Sequence, residues 1–402
     1  MLTAKTKSGN LICLGLDYKK ETLLELRKKE EFLCPVCGES VMLKLGEQRI
    51  FHFAHKQGET CSLGLEGETV RHLEGKRQLY QWLIRQRIPS VLEYYDREIQ
   101  QRPDVMFQYK GKKYALEYQC STIPEKDFIK RTNCYLKHAY VPLWIVSSDH
   151  LKLGQGHFAT LSSFNYLFLR NTTSGDLFIP AYCPENQLFH LVSSITPYSI
   201  KNSFASHSIF PLKNINLDGL LEPQLIDNQL VLSQWFKNLE RTKFMLSVHA
   251  NAKSSPFLSE IYRHYLNLFL LPPEIGLPVP HALNIQTPPL IWQTYLFIDI
   301  IKYKQLGDII TLEELNTHFY RRVNRKEIIL RHLPQIKETE TPLKPLLEYL
   351  HILVWLDILG FNKSSNAFYL KQQMVIPETN RQYEVRRIDF YNKYRCILKY
   401  HK

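Results

Sequence analysis

The sequence predicts an α/β protein with a small cysteine- and histidine-bearing module in front of an α/β core and a mainly helical region behind it. Three observations carry this. Residues 34–61 hold a Cys-x2-Cys pair, a His-x2-His pair and one further cysteine. After them, to about residue 150, apolar periodicity runs in the order helix, three strands, helix, strand. From about residue 236 a 3.6-residue period dominates.

The first module, residues 1–65, opens with a hairpin candidate around Ser8-Gly9-Asn10, followed by the helical "KKETLLELRKKE". The core, residues 66–170, starts with the helix "EGETVRHLEGKRQLYQWLIRQR", whose apolar stripe is expected at Val70, Leu73, Tyr80 and Ile84 and which Pro89 ends. Strands are expected at "SVLEYYDREI", "DVMFQY" and "KYALEYQC". A helix opened by Pro124 as a first-turn residue follows, then a buried strand "PLWIVSS". Residues 171–235 read as mixed strand and loop. Residues 236–402 read as helices, broken by the Pro-rich "LPPEIGLPVPHALNIQTPP".

Of the 402 residues, 51 are Lys or Arg and 39 Asp or Glu, for a formal charge of +12 and a pI near 9.1. That balance favours a polyanionic partner such as nucleic acid. No stretch reaches the roughly 18 uncharged apolar residues of a membrane span, and "MLTAKTKSGNLICLG" lacks the apolar core of a signal peptide. The expected compartment is the cytoplasm. There, the close pair Cys34 and Cys37 points to metal or redox chemistry more than to a structural disulfide.

The chemistry concentrates in "RPDVMFQYKGKKYALEYQCS". With Lys110-Gly111 as a two-residue hairpin loop, Tyr109 faces Lys112 and Asp104 lies opposite Glu117. Cross-strand Cβ atoms are about 5 Å apart. Two carboxylates that close must share a proton, shift their pKa values or bind a cation. A hard divalent ion, Mg2+ or Mn2+, held by Asp104 and Glu117 resolves the conflict. Gln119 projects from the same face as Glu117 and is placed to orient a metal-bound water, the arrangement for metal-assisted phosphodiester hydrolysis. The plain alternative is a solvent-facing Glu117 and an ordinary post-proline turn at Asp104.

In the preceding helix Glu68, His72 and Lys76 recur every four residues and form one face. His72 and Lys76 are expected to meet DNA there. Arg131 and Tyr135, also four apart on the later helix, are expected to contact phosphate. Aromatic and basic residues interleave again in "YRHYLNLF" and "FYNKYRC", a composition suited to stacking bases of a single strand.

In the first module, "CPVCG" and "FHFAH" place fourteen residues between Cys37 and His52, with Cys61 beyond. A tight Cys34–Cys37 knuckle suits two of the four ligands of a structural zinc. His52, His55 and Cys61 offer three candidates for the other two places. The plain alternative is a reduced cysteine pair in a small core.

"RPDV" followed by "EYQ", within that order of elements, resembles the PD-(D/E)xK nuclease signature with Gln119 where lysine is usual. Lysine stabilises developing hydroxide electrostatically, whereas an amide only orients water. The resemblance also implies an acidic contribution from the first helix, matched by Glu68. Taken in order, "CPVC", "FHFAH", "GETVRHLEGK", "RPDV" and "LEYQCS" are similar to the competence protein CoiA family of naturally transformable bacteria. That resemblance implies a nuclease-like core acting on imported single-stranded DNA and promoting its recombination, with a recombinase as a further partner. The alternative within it is an inactive, DNA-binding version of the same fold.

Overall fold

The computed structural model describes residues 1–46, 50–56, 61, 68–154, 157–225, 231–248, 255–279, 281–336 and 343–400. The expected boundary at 65/66 lies outside the described residues. The first part comprises β1 (Thr3–Thr6), β2 (Leu11–Cys13), α1 (Lys20–Lys29), β3 (Phe32–Leu33), β4 (Ser40–Lys44) and β5 (His52–His55). Its strands form one antiparallel sheet in the order β2-β1-β3-β4-β5. Gly9, at φ +91°, supplies the left-handed residue of the first turn.

The core follows with α2 (Val70–Arg85), β6 (Ser90–Leu92), β7 (Val105–Tyr109), β8 (Lys112–Gln119), α3 (Glu125–Lys137) and β9 (Tyr140–Ser147). The β7–β8 hairpin turns on Lys110 and Gly111, at φ +47° and +74°. A turn that needs two positive φ values favours glycine and fixes the register: Tyr109 pairs with Lys112 and Val105 with Leu116. The crossover through α3 then sets β9 parallel to β8, as parallel neighbours require.

The next elements are β10 (Lys152–Leu153), β11 (Phe158–Thr160), α4 (Ser163–Tyr166), β12 (Arg170–Asn171), β13 (Leu177–Cys183), β14 (Leu188–Pro197), β15 (Asn202–Pro211) and α5 (Leu217–Leu221). β13 pairs β9 in parallel, Ala181 beside Val146, so one ten-stranded sheet in the order β10-β11-β15-β14-β13-β9-β8-β7-β6, with β12 on β13, runs across residue 170. One face of this sheet, with Leu116, Tyr118, Leu143 and Phe189, packs with Leu73, Leu79 and Leu83 of α2. The other, with Ala115, Trp144 and Ile179, packs with Phe128 and Tyr135 of α3.

The last part carries α6 (Leu232–Val248), α7 (Pro256–Arg263), α8 (Pro289–Leu296), β16 (Ile309–Ile310), α9 (Leu312–Asn324), α10 (Lys344–Trp355), β17 (Leu359–Asn362), β18 (Ala367–Leu370) and α11 (Asn380–Tyr400). The small sheet β16-β18-β17 adds strands that the sequence reading did not expect. Of the two aromatic–basic stretches, "FYNKYRC" turns its aromatic rings inward: Phe390 and Tyr394 are buried and Tyr391 stacks on Phe236 at 3.6 Å between ring centroids, while Asn392 and Lys393 are exposed. Among the described residues no helix is long and apolar enough to cross a membrane.

Helix α2 departs most from expectation. Val70 and Ile84 are exposed, whereas Gly75, Lys76, Gln78 and Trp82 are buried with Leu73, Leu79 and Leu83. The helix is enclosed on several sides. A Cβ on Gly75 would lie 2.2 Å from Tyr118 Cε1, and one on Gly15 of the first part would lie 2.7 Å from Tyr80 Cδ1. Trp82 Nε1 donates to the Ile215 carbonyl at 2.8 Å. A single apolar stripe describes a helix with one covered face, which α2 is not.

Candidate metal centres and acidic site

In the first part, the turn after β3 folds back on itself: Gly38 N donates to Cys34 O at 3.0 Å and Cys34 N to Glu39 O at 2.8 Å. Gly38, at φ +78°, makes the left-handed step. The β4–β5 pairing sets His55 opposite Val41, beside the knuckle, with His55 Nε2 3.3 Å from Cys37 Sγ. One ligand atom each from Cys34, Cys37, His55 and Cys61 lies within 4.8 Å of all the others, a group that could hold a metal ion. Burial, with Cys34 and Cys61 nearby, pushes the Cys37 thiol up to about 11. Crowded thiols resist ionising together, and a cation removes that resistance.

His52, also expected as a ligand, stays outside this group. It stands three residues before His55 on the same strand, and residues an odd number apart point to opposite faces. Its Nδ1 instead faces the Ile50 carbonyl at 2.9 Å.

The second group forms where α2 begins. Thr69 caps the helix, its Oγ1 accepting from His72 N at 3.2 Å, so Glu68, expected within the helix, stands just before the cap, while His72 and Lys76 follow in the first two turns. The end of the β7–β8 hairpin brings Asp104 beside them. Asp104 Oδ2 lies 3.1 Å from His72 Nε2 and accepts from Tyr118 N at 2.8 Å. Ligand atoms of Glu68, His72 and Asp104 all lie within 4.8 Å of one another, so this set could hold a second ion.

Lys76, expected to face DNA, has no solvent exposure. Its Nζ is 2.7 Å from Glu68 Oε1, 2.6 Å from Glu93 Oε1 and 3.6 Å from Asp104 Oδ1. Arg102, also buried, lies 3.6 Å from Glu68 and 3.9 Å from Glu93. Burial alone would raise the carboxylate pKa values. For Glu68, Lys76 together with the Met1 ammonium 3.0 Å away, His72 and Arg102 outweighs it and holds the group well below the usual range. His72 and Lys76 do the same for Asp104. Lys76 and Arg102 lower Glu93 to about 2. Despite burial, the three carboxylates hold Lys76 well above its ordinary value.

Glu117 takes different partners. Its Oε1 accepts from Arg131 and from the Tyr135 hydroxyl, both on α3. Burial raises its pKa and the charge of Asp104 adds to the rise, with Arg131 opposing. Arg131 and Tyr135, expected on phosphate, are thus engaged with Glu117. Gln119 Nε2 donates to Ser121 O at 2.8 Å and sits 3.3 Å from Ser121 Oγ.

Sequence reasoning missed Glu93 and Arg102. Glu93 is buried, with a left-handed backbone at φ +51°. The available signal was a carboxylate directly after the apolar "SVL" of an expected strand and an arginine directly before Pro103-Asp104.

Family models agree with this layout. Models described as Competence protein CoiA, N-terminal domain, nuclease-like domain and C-terminal domain match residues 16–64, 68–225 and 230–383 respectively. A Bacillus subtilis (strain 168) protein named Competence protein CoiA is 36% identical over 276 residues, 67% of this chain and 72% of that protein. No solved structure matches.

Proposed function

The chain belongs to the competence protein CoiA family, and on that premise we propose that it acts in natural transformation as a metal-dependent nuclease on imported single-stranded DNA. The observation that carries this reading is the convergence of Glu68, His72 and Asp104 at the end of the β7–β8 hairpin. Two carboxylates and an imidazole suit Mn2+ better than Mg2+, which favours oxygen ligands throughout. A divalent ion held there would polarise a phosphodiester oxygen and lower the pKa of a bound water.

The chain's own residues supply the rest. Asp104 is fixed by the Tyr118 amide and His72. Lys76 offsets the repulsion among Glu68, Glu93 and Asp104, so the acidic group can stay ionised inside the fold. Glu117, with Arg131 and Tyr135, forms the α3 side of the same hairpin end, where a phosphate could recruit Arg131. The PD-(D/E)xK-like order of helix, three strands, helix and strand supports the assignment. Cys34, Cys37, His55 and Cys61 fit a structural zinc, three thiolates and an imidazole that leave no open position for chemistry. The net charge of +12 favours the DNA backbone. Action in the cytoplasm, promoting recombination alongside a recombinase, completes the proposal.

A second reading keeps the fold and the DNA but not the cutting. It is favoured by the Gln119 amide bonded to Ser121 where the nuclease signature has lysine, and by Glu117 being occupied on α3. A Mn2+ titration that follows single-stranded DNA cleavage in the parent, Asp104→Ala, Glu68→Ala and Gln119→Lys separates the two. The nuclease reading expects cleavage that both alanine variants abolish; cleavage persisting in both would sink it. Salt-sensitive binding with no cleavage in any divalent ion would favour the second reading.

A further inference from the structure

We propose that Glu93 couples the Cys/His module to the acidic group. Held by the first strand of that module, it sets the position and the charge balance of Lys76, and through Lys76 the affinity of Glu68, His72 and Asp104 for a divalent cation. The proposal rests on the metal reading of that group.

The two oxygens of Glu93 serve different parts of the chain. Oε2 accepts three hydrogen bonds from the start of β1 and the residue before it: Leu2 N at 2.9 Å, Thr3 N at 3.0 Å and Thr3 Oγ1 at 3.0 Å. Oε1 lies 2.6 Å from Lys76 Nζ on α2. Neither the Glu93 nor the Lys76 side chain is exposed, so water cannot replace either partner. The Glu93 amide also donates to the Asp104 carbonyl at 2.9 Å, which ties its backbone to the loop that carries Asp104.

Strand β1 is in turn gripped by the elements that bear the Cys/His ligands. It pairs with β3, Thr6 beside Phe32, and β3 runs directly into Cys34. Phe53 of β5, two residues before His55, donates its amide to the Met1 carbonyl at 2.9 Å. The rings of Phe32 and Phe53 lie 5.1 Å apart and close the small core over β1. A change at the knuckle or at His55 is therefore transmitted to Leu2 and Thr3, and from them to Glu93.

The electrostatic sign follows from the distances. Lys76 sits 2.7 Å from Glu68 and 3.6 Å from Asp104 and opposes a second cation there. The Glu93 carboxylate cancels most of that opposition. Neutralising Glu93 leaves Lys76 turned wholly against the metal. Neutralising Lys76 as well removes its share of the opposition and leaves Arg102 and the Met1 ammonium, 3.6 Å and 3.0 Å from Glu68, as they were.

The test uses the full chain and measures Mn2+ affinity by electron paramagnetic resonance in the parent, Glu93→Gln and Glu93→Gln/Lys76→Met. Hydrogen exchange at the Leu2 and Thr3 amides is followed in the parent, Glu93→Gln and Cys37→Ser. Glu93→Gln is expected to weaken Mn2+ binding roughly tenfold or more, as loss of one close charge in a buried site implies, and the double variant to recover most of it. In Cys37→Ser the Leu2 and Thr3 amides exchange faster and Mn2+ affinity falls with them. Should Glu93→Gln not fold, Thr3→Val removes one donor and is expected to give a smaller fall in the same direction. A purely structural Glu93 would lower the melting temperature without the recovery in the double variant. Unchanged Mn2+ affinity in Glu93→Gln, or protected amides in Cys37→Ser, would overturn the coupling. If the parent takes up no Mn2+, the metal reading falls, and exchange at Leu2 and Thr3 in Cys37→Ser decides the coupling alone.

Discussion

Lys76 Nζ stands 2.6 Å from Glu93 Oε1, with both side chains closed off from solvent. A buried pair of this kind adds little over well-packed apolar residues, but losing one partner leaves the other charged and uncompensated. Here the Lys76 ammonium meets three carboxylates, of which Glu68 is also reached by the Met1 ammonium and Arg102, and Glu93 by Arg102.

Lys76→Met should therefore lower the stability of the folded chain by about 3–5 kcal/mol. Denaturant unfolding measures it. A loss no larger than that of an exposed lysine would mean that the acids find other partners.

The same acids set the response to pH. Glu68, Glu93 and Asp104 are all held below their ordinary values in the folded chain. As pH falls, the unfolded chain takes up protons first, so the stability these groups contribute is present above about pH 5 and is lost towards pH 2. Glu117, raised mainly by burial, acts in the opposite sense and softens the loss. Melting temperatures between pH 7 and pH 2 should fall through that window, and a flat profile would contradict the ionised network.

Much of the hairpin was legible in the sequence, because Lys110-Gly111 allows few turns and the turn alone fixes every pair from Tyr109–Lys112 to Val105–Leu116. Which histidine joins the cysteine group was legible in principle, since the odd spacing of His52 and His55 sends them to opposite faces of β5. The burial of Lys76 was not. It depends on α2 being covered by elements remote in sequence, and Glu93 is held by Leu2 and Thr3, 91 and 90 residues away. The paired register ends at Val105–Leu116, one residue short of Asp104 and Glu117, and a register fixes backbones and leaves each carboxylate to the cations nearest it. Those are Lys76 on α2 for Asp104 and Arg131 on α3 for Glu117.

Gly75 offers a test of how closely α2 meets the sheet. A methyl group there would lie 2.2 Å from Tyr118 Cε1, so Gly75→Ala must push the helix or the ring aside. Overpacking of this kind costs about 1–3 kcal/mol, against the gain that alanine normally brings to a helix interior. Unfolding of Gly75→Ala should show a net loss; a gain would mean that α2 sits further from β8.

The Cys/His group predicts one tightly held zinc per folded chain, lost in Cys37→Ser and Cys61→Ser, with the first 60 or so residues becoming open to proteolysis, as expected when metal binding is coupled to folding. Elemental analysis beside limited proteolysis checks both parts. His52→Ala should keep the metal. Loss of zinc in His52→Ala, with retention in His55→Ala, would reverse the assignment.

Pulsed electron paramagnetic resonance of Mn2+ bound to the full chain, read for coupling to an imidazole nitrogen, probes the acidic site itself. One bound ion with a single histidine nitrogen is expected, the nitrogen signal vanishing in His72→Gln and the ion itself in Asp104→Ala. Mn2+ bound with no nitrogen coupling, or bound as tightly after Asp104→Ala, would contradict that arrangement.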